Sequence, residues 1–81
     1  MFTADILLKN ISGAHAFVHL CDRVDYLVEL EQGPFLIDGR SIIAILSLDL
    51  TRPIRVKAHC RDAEQTAFFD KHIAPFELPH K

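Results

Sequence analysis

Cysteine is scarce in this chain, and where it stands matters. Only Cys21 and Cys60 occur, far apart and in no Cys-x-x-Cys pair. A short disulfide scaffold carries four or more, so a disulfide framework is excluded. Both cysteines fall on apolar faces and are expected to be buried, reduced thiols acting as small hydrophobes. No apolar run approaches the ~20 residues of a membrane helix. No charged-then-apolar leader precedes Phe2. The chain is therefore expected to be cytoplasmic, without membrane insertion. No block of Lys or Arg appears and the net charge is −2. Nucleic acid is not an expected partner. There are no internal repeats, low-complexity segments or linkers. No Ser-His-Asp set, Cys-His pair or glycine-rich phosphate loop appears, so the chain is not expected to be an enzyme and no cofactor is implied.

What is present suits one small domain. The 81 residues are 49% hydrophobic and 25% charged, ordinary for a folded domain. A chain this short buries only about 60–65% of its unfolded surface, so its core is small. The domain is expected over residues 1–77, with 78–81 a short tail.

Residues 2–8 alternate. Phe2, Ala4, Ile6 and Leu8 share one face of a first strand. Asn10 and Ser12 are both able to cap the following helix. Residues 13–25 read as that helix, with an apolar stripe of Ala14, Phe17, Val18, Cys21 and Val24. His15, His19, Asp22 and Arg23 lie opposite. The i, i+4 histidines invite a metal reading, but no further ligand is evident, and a solvated helix face is the expectation. Tyr26 to Glu31 reads as a second strand. Gln32-Gly33-Pro34 is a turn, and Phe35 to Ile37 a third strand. The fourth strand, Ile54 to Cys60, sets apolar Ile54, Val56, Ala58 and Cys60 against basic Arg55, Lys57 and His59, so one sheet face is covered and one wet. Asp62, with Gln65 three residues on, caps a last helix. Ala63, Ala67, Phe68 or Phe69, and Ile73 are expected on its buried side, and Pro75 stops it. His59 and His72 show no partner pattern.

The stretch Gly39-Arg40-Ser41-Ile42-Ile43-Ala44-Ile45-Leu46-Ser47-Leu48-Asp49-Leu50 is ambiguous by periodicity. It suits a doubly buried strand. It also suits a short helix capped by Ser41, with Ile42, Ile45 and Leu46 on one face.

Arg40 to Leu48 resembles the Lys-Ser-Ile-Met-Gly-Val-Met-Ser-Leu segment of the histidine-containing phosphocarrier family, HPr, of the bacterial sugar phosphotransferase system. Val28-Glu29-Leu30-Glu31-Gln32-Gly33 resembles that family's hairpin. The resemblance implies a second helix from Ser41 to about Leu48. It also implies an α+β fold of order βαββαβα: a two-layer open-faced sandwich whose four-stranded antiparallel sheet, in order 1-4-2-3, is covered on one face by helices. A ferredoxin-like βαββαβ sheet is the alternative on pattern alone.

In that family a histidine in a Gly-x-His-x-Arg-Pro motif carries phosphate just before the first helix. Helix amides and the arginine hold the dianion. Here Gly13-Ala14-His15 keeps the triplet, but Phe17 and Val18 occupy the arginine and proline places. Counting back without a gap from Val28 gives a second register, in which Asn10 replaces the histidine, Ser12 the arginine and Gly13 the proline. The active loop is then shortened, and His15 lies a turn inside the helix on its solvent face. The resemblance implies three further roles. Ser41 is a candidate for regulatory phosphorylation, besides its capping role. Arg40, Ile42, Ile43 and Leu46 correspond to the family's partner-docking patch. The partner would be another protein, a phosphotransferase component or regulator. The expected function is a non-catalytic interaction or regulatory module that has lost the phosphocarrier motif. The alternative is a phosphocarrier accepting phosphate on His15.

Overall fold

The computed structural model describes residues 1–78; Pro79, His80 and Lys81, most of the expected tail, lie outside the described residues. Its elements are β1 (Phe2–Ile6), α1 (Ile11–Cys21), β2 (Val28–Gln32), β3 (Phe35–Asp38), α2 (Ile42–Leu46), β4 (Ile54–Ala58) and α3 (Ala63–Ile73), followed by a 3₁₀ turn, Ala74–Phe76. The four strands form one sheet in the order β1-β4-β2-β3, every neighbour antiparallel. This is an α+β open-faced sandwich of the expected βαββαβα order, and Arg40 to Leu48 resolves as a turn and a helix.

The period-2 reading of β4 holds through Ala58. Ile54, Val56 and Ala58 are buried under the helices. On the other face the basic residues of β4, and His59 just past its end, meet acids of both neighbours. Arg55 pairs with Asp5 of β1, Lys57 with Glu31 of β2 and His59 with Glu29 of β2. Two of these pairs run diagonally, since the register sets Glu29 opposite Lys57 and Glu31 opposite Arg55. His59 therefore has a partner that its lone place in the sequence did not reveal.

Several boundaries move. α1 begins at Ile11 and ends at Cys21, because Asn10 is the cap and the N–H groups of Asp22, Arg23 and Val24 turn back to Val18, Leu20 and Cys21. Leu20 joins its buried stripe. β2 begins at Val28. β4 ends at Ala58, where β1 also ends its pairing at Phe2. Cys60 thus lies past the sheet and is only half-buried, against the expectation of a buried thiol; Cys21 is fully buried. α3 buries Phe69 and Ile73, with Phe68 packed at the margin, while Ala63 and Ala67 face solvent. Aromatic and β-branched side chains set the rotation of that helix, since alanine has little apolar area to hide. α3 ends at Ile73, and Pro75 sits in the 3₁₀ turn that follows. Phe76 then packs edge-on against Phe17, and the Phe76 carbonyl accepts from Leu7.

The turn between β2 and β3 has two residues. Gly33 takes a positive φ of 57° and Pro34 follows, the order a type II′ turn requires. Gly39 is tight for another reason. A β-carbon there would lie 3.1 Å from both the Cys21 sulfur and the Val28 carbonyl oxygen. That close approach lets the chain leave β3 and enter α2 directly over the core.

Candidate functional site

Two neighbouring regions concern function: the entry to α1 and the short helix α2. A backbone bond ties the first to the loop that follows the second, the Lys9 N–H donating to the Leu50 carbonyl at 2.8 Å.

At the entry to α1 the chain reverses within very few residues. Lys9 adopts a φ of 75°, and the Asn10 N–H returns to the Leu8 carbonyl at 2.9 Å. That three-residue turn is a strained one for a residue with a side chain. Asn10 is extended and its Oδ1 accepts from the Gly13 N–H at 2.9 Å, while its carbonyl accepts from Ala14. Its amide side chain is thus occupied in capping. Ser12, the other capping candidate, is the second helical residue. His15 is the fifth residue of α1 and is exposed. It is not at the N-terminus, where unpaired amides stand. His19 follows one turn on, also exposed, and Asp22 is the C-cap. Among the described residues no three His, Cys, Asp or Glu side chains converge on a cation site.

α2 is built from its cap outward. The Ser41 Oγ accepts from the Ala44 N–H at 3.3 Å, and Ser47, at the other end, donates to the Ala44 carbonyl. A five-residue helix buries one side only. Ile45 fills the core, Ile42 packs against its edge, and Ile43 and Leu46 remain 81% and 42% exposed. Ile11, the first residue of α1, is another exposed aliphatic, a position the sequence reading did not single out. Arg40, assigned by resemblance to the docking patch, does something different with its guanidinium. It donates to the carbonyls of Val24 and Tyr26 and so pins the α1–β2 loop to the entry of α2. Nothing in its spacing betrays this, because the two carbonyls belong to a loop 14 and 16 residues away.

The loop after α2 is organised by Asp49. Its carboxylate accepts from the Thr51 hydroxyl and N–H, which hold it below the usual carboxylate range; Arg52 adds to this. Gln32 of β2 donates to the Asp49 carbonyl and accepts from its N–H. Exposed cationic side chains, Lys9 and Arg52, belong to the two loops beside α2.

Elsewhere, α3 carries a stack that the sequence also concealed. The Phe68 ring lies 4.2 Å from the His72 ring and 5.2 Å from the Arg23 guanidinium. A groove of about 520 Å³ opens beside it, between the α1–β2 loop and α3, with Asp22, Tyr26, Glu64 and Phe68 among its walls. The Tyr26 hydroxyl is buried without a hydrogen-bond partner among the described residues. Burial, and after it the nearby Cys60 thiol, pushes its ionisation well above the usual tyrosine range.

No protein-family description matches the chain, and no curated protein is significantly similar in sequence. Among solved structures, the crystal structure of HPr-C-His from Thermoanaerobacter tengcongensis superposes with a TM-score of 0.66 at 19% identity, over 96% of this chain and 100% of that one. At that identity the likeness is one of fold. With the strand order and the helices on one face of the sheet, it makes this domain an HPr-like open-faced sandwich.

Proposed function

We propose that this protein is a non-catalytic, HPr-like interaction module. It docks another protein, a phosphotransferase component or a regulator, through α2, and its phosphocarrier loop has been lost. The observation that carries the reading is at the entry to α1. The residue preceding the helix is Asn10, its side chain consumed by capping, and the nearby histidine, His15, is the fifth residue of the helix. A phosphohistidine dianion gains from unpaired helix amides and from a clamping arginine. His15 has neither. On the docking side, Ile43 at 81% exposure is an apolar residue with no role in the domain's own core.

Phosphate on His15 is the second reading, favoured by that side chain's exposure. Incubation with the phosphorylating enzyme of the sugar phosphotransferase system and phosphoenolpyruvate, read by intact mass, separates the two. No phosphoryl gain is expected. An acid-labile gain that disappears in His15→Ala would replace the interaction module with a working carrier.

A further inference from the structure

The two edges of the sheet are treated differently. Along β1 the chain covers its own edge. Leu7 donates to the Phe76 carbonyl, Leu78 donates to the Asp5 carbonyl, and Ile6 bridges to Glu77. Along β3, among the described residues, no backbone bond leaves Phe35, Leu36 or Ile37 on the side away from β2. Natural edges are usually blunted by lysine, by proline within the strand, or by a bulge. This one has none of these between Phe35 and Ile37, since Pro34 belongs to the turn. Instead Phe35 and Leu36 are 59% and 53% exposed. They lie on opposite faces of the sheet: Leu36 is opposite Glu31 on the wet face, and Phe35 is opposite Gln32 on the helix side with Ile37.

We infer that β3 is a pairing edge for a second copy of this chain, which joins two sheets antiparallel about a two-fold axis at Leu36. The register follows from the pleat. A two-fold axis perpendicular to the sheet keeps each face on its own side, so facing residues must be of equal parity in number. Centring the axis on Leu36 sets Leu36 against its own copy on the wet face. It sets Phe35 against Ile37 of the other copy, twice, on the helix face. The strand's one charge, Asp38, then faces Pro34, so no like charges oppose each other. Every facing pair between Phe35 and Ile37 is apolar, and aromatic with β-branched pairs are among those that stabilise strands. The contact is short, which makes the dimer weak and concentration-dependent. It uses a different surface from Ile43 and Leu46 of α2.

Sedimentation equilibrium with increasing protein, up to about 1 mM, tests this. The wild type is expected to pass from monomer to dimer. Leu36→Lys and Leu36→Glu should each be monomeric, because each places like charges on the axis. An equimolar mixture of the two should dimerise again, which also shows that both variants are folded. Ile43→Lys should dimerise like the wild type. A wild type that stays monomeric overturns the inference. So does a Leu36→Lys protein that associates normally, a mixture that fails to pair, or a dimer abolished by Ile43→Lys.

Discussion

The Leu8 carbonyl oxygen lies 1.9 Å from where a β-carbon on Gly13 would stand. No L-side chain fits there without moving backbone, so the strained turn at Lys9 and the first turn of α1 are fitted to each other. The glycine is required for this approach and not for an unusual φ. Gly13→Ala is expected to destabilise the domain by more than about 2 kcal/mol, the scale of overpacking against backbone. Urea titration checks it. A loss below about 0.5 kcal/mol, the range of an ordinary surface change, would mean that the loop relaxes freely.

Arg40 is expected to matter for stability. Its guanidinium satisfies the Val24 and Tyr26 carbonyls in a partly buried place. Arg40→Ala strands both acceptors and is expected to cost about 1–3 kcal/mol. Arg40→Lys should recover only part of this, since a single ammonium lacks the planar fork. Equal stability of the Ala and Lys variants would count against the carbonyl clamp.

The two thiols should behave differently. Burial pushes the Cys21 thiol up to about 12 from an ordinary 9.0, partly offset by Arg40. Native Cys21 is therefore expected to resist thiol reagents at pH 8, while half-buried Cys60 labels. The raised value also fixes a sign. Below pH 9 the thiol is protonated in both states and its burial has no pH dependence. Between pH 9 and about 12 the unfolded thiol ionises and the folded one does not, so stability falls with rising pH, by up to ~1.4 kcal/mol per unit from this group. Cys21→Ala should flatten that slope.

Local chemistry in the sequence carried much of this fold. Ile54 to Ala58 alternates cleanly, and Asp62 with Gln65 marks a helix start that the structure places there: the Gln65 N–H bonds the Asp62 carboxylate. The Gln65 side chain accepts instead from the Arg61 N–H, a step before the cap. What was hidden depends on register or on distance in the chain. Asn10 and Ser12 are equally good caps by type, and the helix starts at Ile11 with Asn10 as its cap and Ser12 inside it. His59 finds Glu29 through a diagonal that exists once β2 and β4 are aligned. Ala63 and Ala67 match a helical stripe in spacing, yet Phe69 and Ile73 turn the helix away from them.

α2 offers a comparison between adjacent positions. Ile43 is 81% exposed and Ile45 fully buried. Ile43→Lys is expected to change stability by less than about 0.5 kcal/mol, and Ile45→Lys to cost several, since it buries an unpaired ammonium. Thermal melts of the two proteins check the difference. Unfolding by both would place Ile43 in the core and remove the docking surface.

Ser41 joins the cap and the docking surface. Its Oγ takes the Ala44 N–H at 3.3 Å, a long bond, so Ser41→Ala is expected to cost only about 0.5–1 kcal/mol. Ser41→Asp keeps an acceptor at the cap and sets a negative charge at the positive end of the helix, so its stability should match the wild type within about 0.5 kcal/mol. A phosphate at this position would meet the same helix end. Arg40, the adjacent cation, has its guanidinium committed to the Val24 and Tyr26 carbonyls. The helix end alone would then stabilise the dianion, and the added charge would stand two residues from Ile43. An apolar docking contact formed there has to desolvate that charge, so partner affinity should fall. Titration calorimetry of Ser41→Asp against a partner identified through α2 gives the answer. Binding equal to that of the wild type, at equal stability, would leave Ser41 as a helix cap with no regulatory role.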